Sequence, residues 1–169
     1  MANFHDRHAS IVYRSTPAFP LLCMTSLTER LHLEHTVFQL FDLVADVERY
    51  PEFLPWVVAA HVRRRKNQTV WVDMTFGTIF LRKQVSIVAL LERPRRIDTS
   101  SHDPLFDCFE QSWNFEPTPG GGTNVEYYVD LQLRSRLLQT LIGTLFADGA
   151  SAMVTAYRRR AQQLYCGPS

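Results

Sequence analysis

From Leu27 the chain alternates apolar and polar positions, with Leu27, Leu31 and Leu33 on one side and Thr28, Arg30 and His32 on the other. A period of two is that of a half-buried strand, because successive side chains point to opposite faces. The period then changes. Val37, Leu40, Phe41 and Val44 recur at helical spacing, and Thr36 stands three residues before Gln39, the pairing of a capping box. This predicts a helix that starts at Thr36 and ends before Pro51, since the residue preceding a proline avoids helical angles. Tyr50–Trp56, YPEFLPW, holds two prolines and is expected to be an aromatic loop rather than helix or central strand.

A run of strands is predicted next. Val57–Arg64 leads through a hairpin turn at Lys66–Asn67 into Thr69–Phe76, where Val70, Val72, Met74 and Phe76 share a face. Gly77 marks a bulge or bend before Ile79–Leu91, in which Val85, Ile87, Ala89 and Leu91 alternate with Gln84, Ser86, Val88 and Leu90. A short strand around Ile97–Ser101 follows RPRR (Arg93–Arg96). Cys108–Phe115 places Phe109, Gln111, Trp113 and Phe115 together, and after the turn PTPGGG the strand Val125–Leu133 does the same with Val125, Tyr127, Val129, Leu131 and Leu133. Strands in series joined by short turns imply an antiparallel meander. From Ser135 to Leu164 there is no proline, and Leu138, Leu141, Ile142, Leu145 and Phe146 fall at i, i+3, i+4, i+7 and i+8, resuming at Met153, Val154 and Tyr157. A helix of that length spans about 45 Å and suits the concave face of a curved sheet. Gly143 leaves space beside the stripe, and Gly149 weakens the helix near its middle.

At 169 residues and 46% hydrophobic, the chain fits one domain with a sizeable core or ligand cavity. Its net charge of +1 is unlike that of a dedicated nucleic-acid binder, so no DNA partner is expected. Three scattered cysteines (Cys23, Cys108, Cys166) fit neither a disulfide framework nor a zinc site, and point to a reducing compartment. No stretch nears the roughly 18 apolar residues of a membrane span. Residues 1–24 read as a loosely ordered tail, as an organelle transit segment, or as sequence ahead of a start at Met24. The working domain is expected over 25–166, with 167–169 as a short C-terminal tail.

Several motifs in fixed order carry a family resemblance: VADVERYPEFLPW (Val44–Trp56), ERPRRID (Glu92–Asp98), WNFEP (Trp113–Pro117), the glycine turn, and SRLLQTLIGTLF (Ser135–Phe146). Over about Leu27 to Ala161 the chain resembles the coenzyme-Q-binding START-like proteins of the polyketide cyclase superfamily, which include the bacterial ribosome-association toxin. Val57 and Val58 stand where that family often has a cysteine or polar residue. The resemblance implies an α+β helix-grip fold, a curved antiparallel sheet wrapped around the long C-terminal helix with an apolar cavity inside. It further implies that ubiquinone or a similar prenyl quinone is the bound ligand, with no separate cofactor, and that the protein serves as a quinone chaperone in respiration or quinone biosynthesis. The corresponding location is the bacterial cytoplasm with peripheral contact at the inner membrane, or the matrix side in a eukaryotic host.

Candidate ligand-binding residues are Tyr50, Phe53, Leu54, Pro55 and Trp56 in the aromatic segment, Val72, Met74, Phe76, Trp113 and Tyr127 on the sheet, and Leu138, Leu141, Ile142 and Leu145 on the helix. The aromatic segment reads either as a gate at a cavity mouth or as a plug at one end of the core, and the helix stripe either as cavity lining or as core. Basic residues form groups at Arg63–Lys66, Arg93/Arg95/Arg96, Arg134/Arg136 and Arg158–Arg160. They read as solvated strand and helix ends, as contacts for anionic lipid, or as contacts for ribosomal RNA. A ribosome partner that blocks subunit joining is therefore the alternative function. Catalysis has no support in the pattern: the histidines lack metal-ligand spacing, no GxSxG or phosphate-binding glycine loop occurs, and no metal site is expected. A cyclase or hydrolase of small aromatics would need a polar pair inside the cavity, and none is identified on the strand faces.

Overall fold

A computed structural model describes residues 26–77 and 82–166, with side chains 140–151 outside the described set. The elements are β1 (Ser26–Leu33), α1 (Val37–Ala45), a 3-10 turn (Val47–Glu52), β2 (Val57–Lys66), β3 (Thr69–Gly77), β4 (Arg82–Glu92), β5 (Arg96–Ser100), β6 (Phe106–Pro117), β7 (Thr123–Leu133) and α2 (Arg136–Tyr165). The strands form one seven-stranded antiparallel sheet in the order β1-β7-β6-β5-β4-β3-β2. From β2 to β7 each strand pairs with its neighbour in sequence, and β1 closes onto β7. The sheet is curved, and α2 packs against α1, β1 and β7. This is the helix-grip arrangement the sequence implies.

Local signals account for the boundaries. In the capping box of α1, Thr36 accepts from the Gln39 N–H at 3.3 Å, and Gln39 Oε1 accepts from the Thr36 N–H at 2.9 Å. At α2 the Ser135 hydroxyl accepts from the Leu138 N–H, and the helix runs unbroken through both of its glycines. Asn67 turns the β2–β3 hairpin at a φ of 53°, which an asparagine tolerates. The turn lies at Asn67–Gln68, one residue later than the pattern suggests, because β2 continues to Lys66. The aromatic segment also departs from expectation. Tyr50–Glu52 close the 3-10 turn, with Pro51 inside it, so only Phe53–Trp56 form a loop. A 3-10 turn accepts proline here because so few of its N–H groups bond within the turn. Residues 79–81 of the expected fourth strand and the tail 1–24 lie outside the described residues.

α1 and the C-terminal part of α2 pack together on β1, β7 and β6. Phe41 meets Phe115 edge-to-face at 6.0 Å, and Val154, Tyr157 and Ala161 are buried beneath them. Trp113 lies 4.4 Å from Tyr127 and 5.0 Å from Tyr157 between ring centroids. Past this aromatic wall, the concave face of the sheet borders a cavity.

Candidate functional site

On that side the sheet encloses a cavity of about 510 Å³. Its size is that of a pocket for a small organic ligand. The curvature sets it up: inward rows from β3 (Val72, Met74, Phe76), β4 (Ile87, Ala89, Leu91) and β7 (Val129, Leu131, Leu133) line a trough, and Met153 of α2 meets it from above.

The aromatic segment divides between the two sides of this wall. Tyr50, Leu54 and Trp56 line the cavity. Tyr50 donates its hydroxyl to the Val44 carbonyl, which fastens the 3-10 turn to the end of α1. Phe53 is not a lining residue: it packs on Tyr50 at 5.8 Å and Tyr157 at 5.2 Å, on the outer side, with the Arg160 guanidinium 5.7 Å above its ring. Arg160 in turn pairs with Glu52. The turn rotates Phe53 away from Leu54, a reversal that an extended-loop reading does not foresee. Pro55 is exposed and touches no part of the cavity either.

On the sheet, Val72, Met74, Phe76, Trp113 and Tyr127 all reach the cavity, on the faces the alternation assigns to them. Leu138 packs at the edge of the core without lining the cavity, because it stands in the first turn of α2. The side chains of Leu141, Ile142 and Leu145 lie outside the described residues.

The lining holds one feature that periodicity does not point to. Thr99 on β5 and Gln111 on β6 are register partners, and both side chains face the cavity. The signal was present: Gln111 interrupts the row Phe109, Trp113, Phe115. A polar pair therefore does sit inside the cavity, against expectation, although neither member titrates.

The ionisable groups of the described lining are the phenols of Tyr50 and Tyr127. Burial pushes both above the ordinary tyrosine range, and Tyr157 behind them likewise. They stay protonated through the neutral range. The Trp113 indole N–H finds no hydrogen-bond partner among the described residues and is enclosed by packing, and the Tyr157 hydroxyl lies against that of Tyr50. No group of three or more His, Cys, Asp or Glu is placed to hold a metal ion among the described residues.

Residues 33–158 match the family model described as "Polyketide cyclase / dehydrase and lipid transport". The chain belongs to this family. Among similar curated proteins, the ribosome association toxin of Rickettsia prowazekii is 28% identical over 130 residues, covering 75% of this chain and 88% of that protein. A mitochondrial coenzyme Q-binding protein homologue of Xenopus laevis is 24% identical over 137 residues, covering 79% of this chain and 56% of that protein. The family likeness extends to solved folds. An aromatase/cyclase from Streptomyces superposes with a TM-score of 0.73 at 11% identity over 85% of this chain and 98% of that one. A STAR-related lipid transfer protein from Xanthomonas axonopodis gives 0.65 at 10% identity over 92% and 99%. These two likenesses establish the START-like fold and leave activity to the site.

Proposed function

We propose that the chain binds a neutral, largely apolar molecule of the prenyl-quinone class, such as ubiquinone, in the cavity, and carries it without transforming it. The observation that carries this reading is the cavity itself: about 510 Å³, walled by aliphatic and aromatic side chains. Burial of ligand carbon drives binding at about 25 cal/mol per Å², less the cost of ordering the ligand. Carriage rather than catalysis is supported by the described lining, which offers no carboxylate, imidazole or amine as general acid or base. A full polyprenyl tail exceeds this volume, so part of it stays in a membrane, which the protein meets peripherally from the cytoplasm or the mitochondrial matrix. No helix among the described residues is long and apolar enough to cross one. Extraction of the purified protein into organic solvent, followed by mass spectrometry, tests the reading. A prenyl quinone is expected in the extract from the wild type and a strongly reduced amount from Ala89→Phe, which fills the trough. Absence of any prenyl lipid, together with no quinone uptake in vitro, overturns it.

A second reading, association with the ribosome, is favoured by the relative of that name and by the edge strand β2. There Arg63, Arg64, Arg65 and Lys66 are all exposed, Arg63 pairs with Asp73, and Arg64 stacks over Trp71 at 5.1 Å. Sedimentation of lysate through a gradient separates the readings: salt-sensitive migration with the large subunit, lost when the four residues are neutralised, supports it. Migration with the free-protein fractions at low salt rejects it.

A further inference from the structure

We propose that Thr99 and Gln111 form a subsite that recognises the carbonyl oxygen of a neutral ligand head, and so selects which apolar molecules the cavity keeps. This rests on the cavity being a ligand site, as argued above.

β5 and β6 lie in the interior of the sheet, and the two residues are directly opposed in register. Opposed side chains on one face of an antiparallel pair stand about 4.5–5.5 Å apart at Cβ, close enough to address one ligand group. Their partners on the two flanking strands are apolar. Ala89 of β4 is the other partner of Thr99, and Val129 of β7 is the other partner of Gln111. Ile97 and Trp113 form the next inward pair. The small Ala89 leaves open the ground beside the Thr99 hydroxyl.

The fold gives three other enclosed hydroxyls a backbone acceptor: Tyr50 donates to the Val44 carbonyl, Ser101 to Ser86, Thr123 to His35. The side chains of Thr99 and Gln111 have no such partner among the described residues, and they open into the cavity instead. A polar group in an apolar wall is costly unless something in the cavity bonds to it. Valine and leucine or methionine would suit the same strand positions at no such cost. The pair is thus built for an occupant that brings its own oxygen.

The chemistry of that occupant follows from what surrounds it. The hydroxyl and the amide NH₂ both donate, so they can converge on a carbonyl oxygen. No cationic side chain belongs to the described lining, so a carboxylate or phosphate head would lose its water with no opposite charge in return. The head is therefore neutral.

Isothermal titration with three probes of equal chain length tests this: a prenyl benzoquinone, the matching prenyl benzene, and a fatty acid. Wild type is expected to bind the quinone about tenfold more tightly than the arene and to ignore the fatty acid. Gln111→Met and Thr99→Val should each weaken quinone binding about three- to tenfold while leaving the arene within twofold, since one hydrogen bond changes affinity by that order. The double variant should bind quinone and arene alike. If Gln111→Met fails to fold by circular dichroism, the isosteric Thr99→Val carries the test. An undiminished quinone preference in the folded variants overturns the subsite and leaves the cavity reading standing, as does preferred binding of the fatty acid. Failure of wild type to bind quinone or arene overturns both.

Discussion

Two neighbouring side chains, Phe53 and Leu54, lie on opposite sides of one aromatic wall, and Tyr50 holds that wall in place. Tyr50→Phe leaves the Val44 carbonyl without its donor, and we expect a loss of about 1–2 kcal/mol. For a chain of this size that lowers Tm by roughly 3–6 °C, readable by differential scanning fluorimetry. The same residue gives a pH dependence. Burial raises the folded-state pKa of Tyr50, Tyr127 and Tyr157 above the unfolded value, so the folded state keeps protons that the unfolded chain releases. Their contribution is complete below about pH 10, the unfolded value, and is lost as pH rises further toward the folded values. Urea midpoints measured from pH 7 to 11 should therefore stay level across the tyrosine-neutral range and fall in the alkaline limb. Tyr50→Phe should make that limb shallower. A limb of unchanged slope would remove Tyr50 from this account. Periodicity put Val72, Met74, Trp113 and Tyr127 on the correct face, because in a strand direction follows from position. It could not do so for Phe53, whose direction depends on how tightly a turn winds.

At the scale of elements, the β6–β7 turn shows how closely the chain seats one strand on another. Gly122 has a φ of +81°, and a Cβ there would come within 2.5 Å of the Leu33 carbonyl oxygen at the end of β1. Gly120, two residues earlier, has nothing within 4 Å of that position and no positive φ. Gly122→Ala should cost at least about 2 kcal/mol through strain and displaced backbone, whereas Gly120→Ala should be neutral or slightly stabilising. Chemical denaturation of the two variants side by side checks the contrast, and equal losses would defeat it. The sequence marked this stretch as a turn without telling the glycines apart, since the distinction lies in β1, distant along the chain. Capping at Thr36 was legible for the opposite reason: the cap is made within three residues. The Thr99–Gln111 pair stood between these cases. Each residue was visible in its strand, but only the β5–β6 register puts one beside the other.

For the molecule as a whole, a bound ligand adds its binding energy to the fold. Saturation with a short-chain quinone at 100 times its Kd should stabilise the protein by about 2.7 kcal/mol, raising Tm by roughly 5–10 °C, and Ala89→Phe should show little of this rise. The family match over 33–158 is narrower than the fold. Trimming to those limits removes all of β1 but Leu33, which bares the edge of β7. It also removes Ala161 from the core and Tyr165, whose hydroxyl donates to the Gln39 carbonyl and ties the end of α2 to α1. We expect the trimmed chain to aggregate where 26–166 stays monomeric, as analytical ultracentrifugation would show. The pairing of β1 with β7 carries one more consequence, this time for how the protein is made. β1 leaves the ribosome before β7, and since Ser26 pairs with Asp130 and Leu33 with Thr123, its partner strand is synthesised about 100 residues later. At about 5–20 residues per second, β1 waits roughly 5–20 s for its only neighbour in the sheet. Charged Glu29 and Arg30 and the polar His32 keep that waiting strand from being a continuous apolar ribbon.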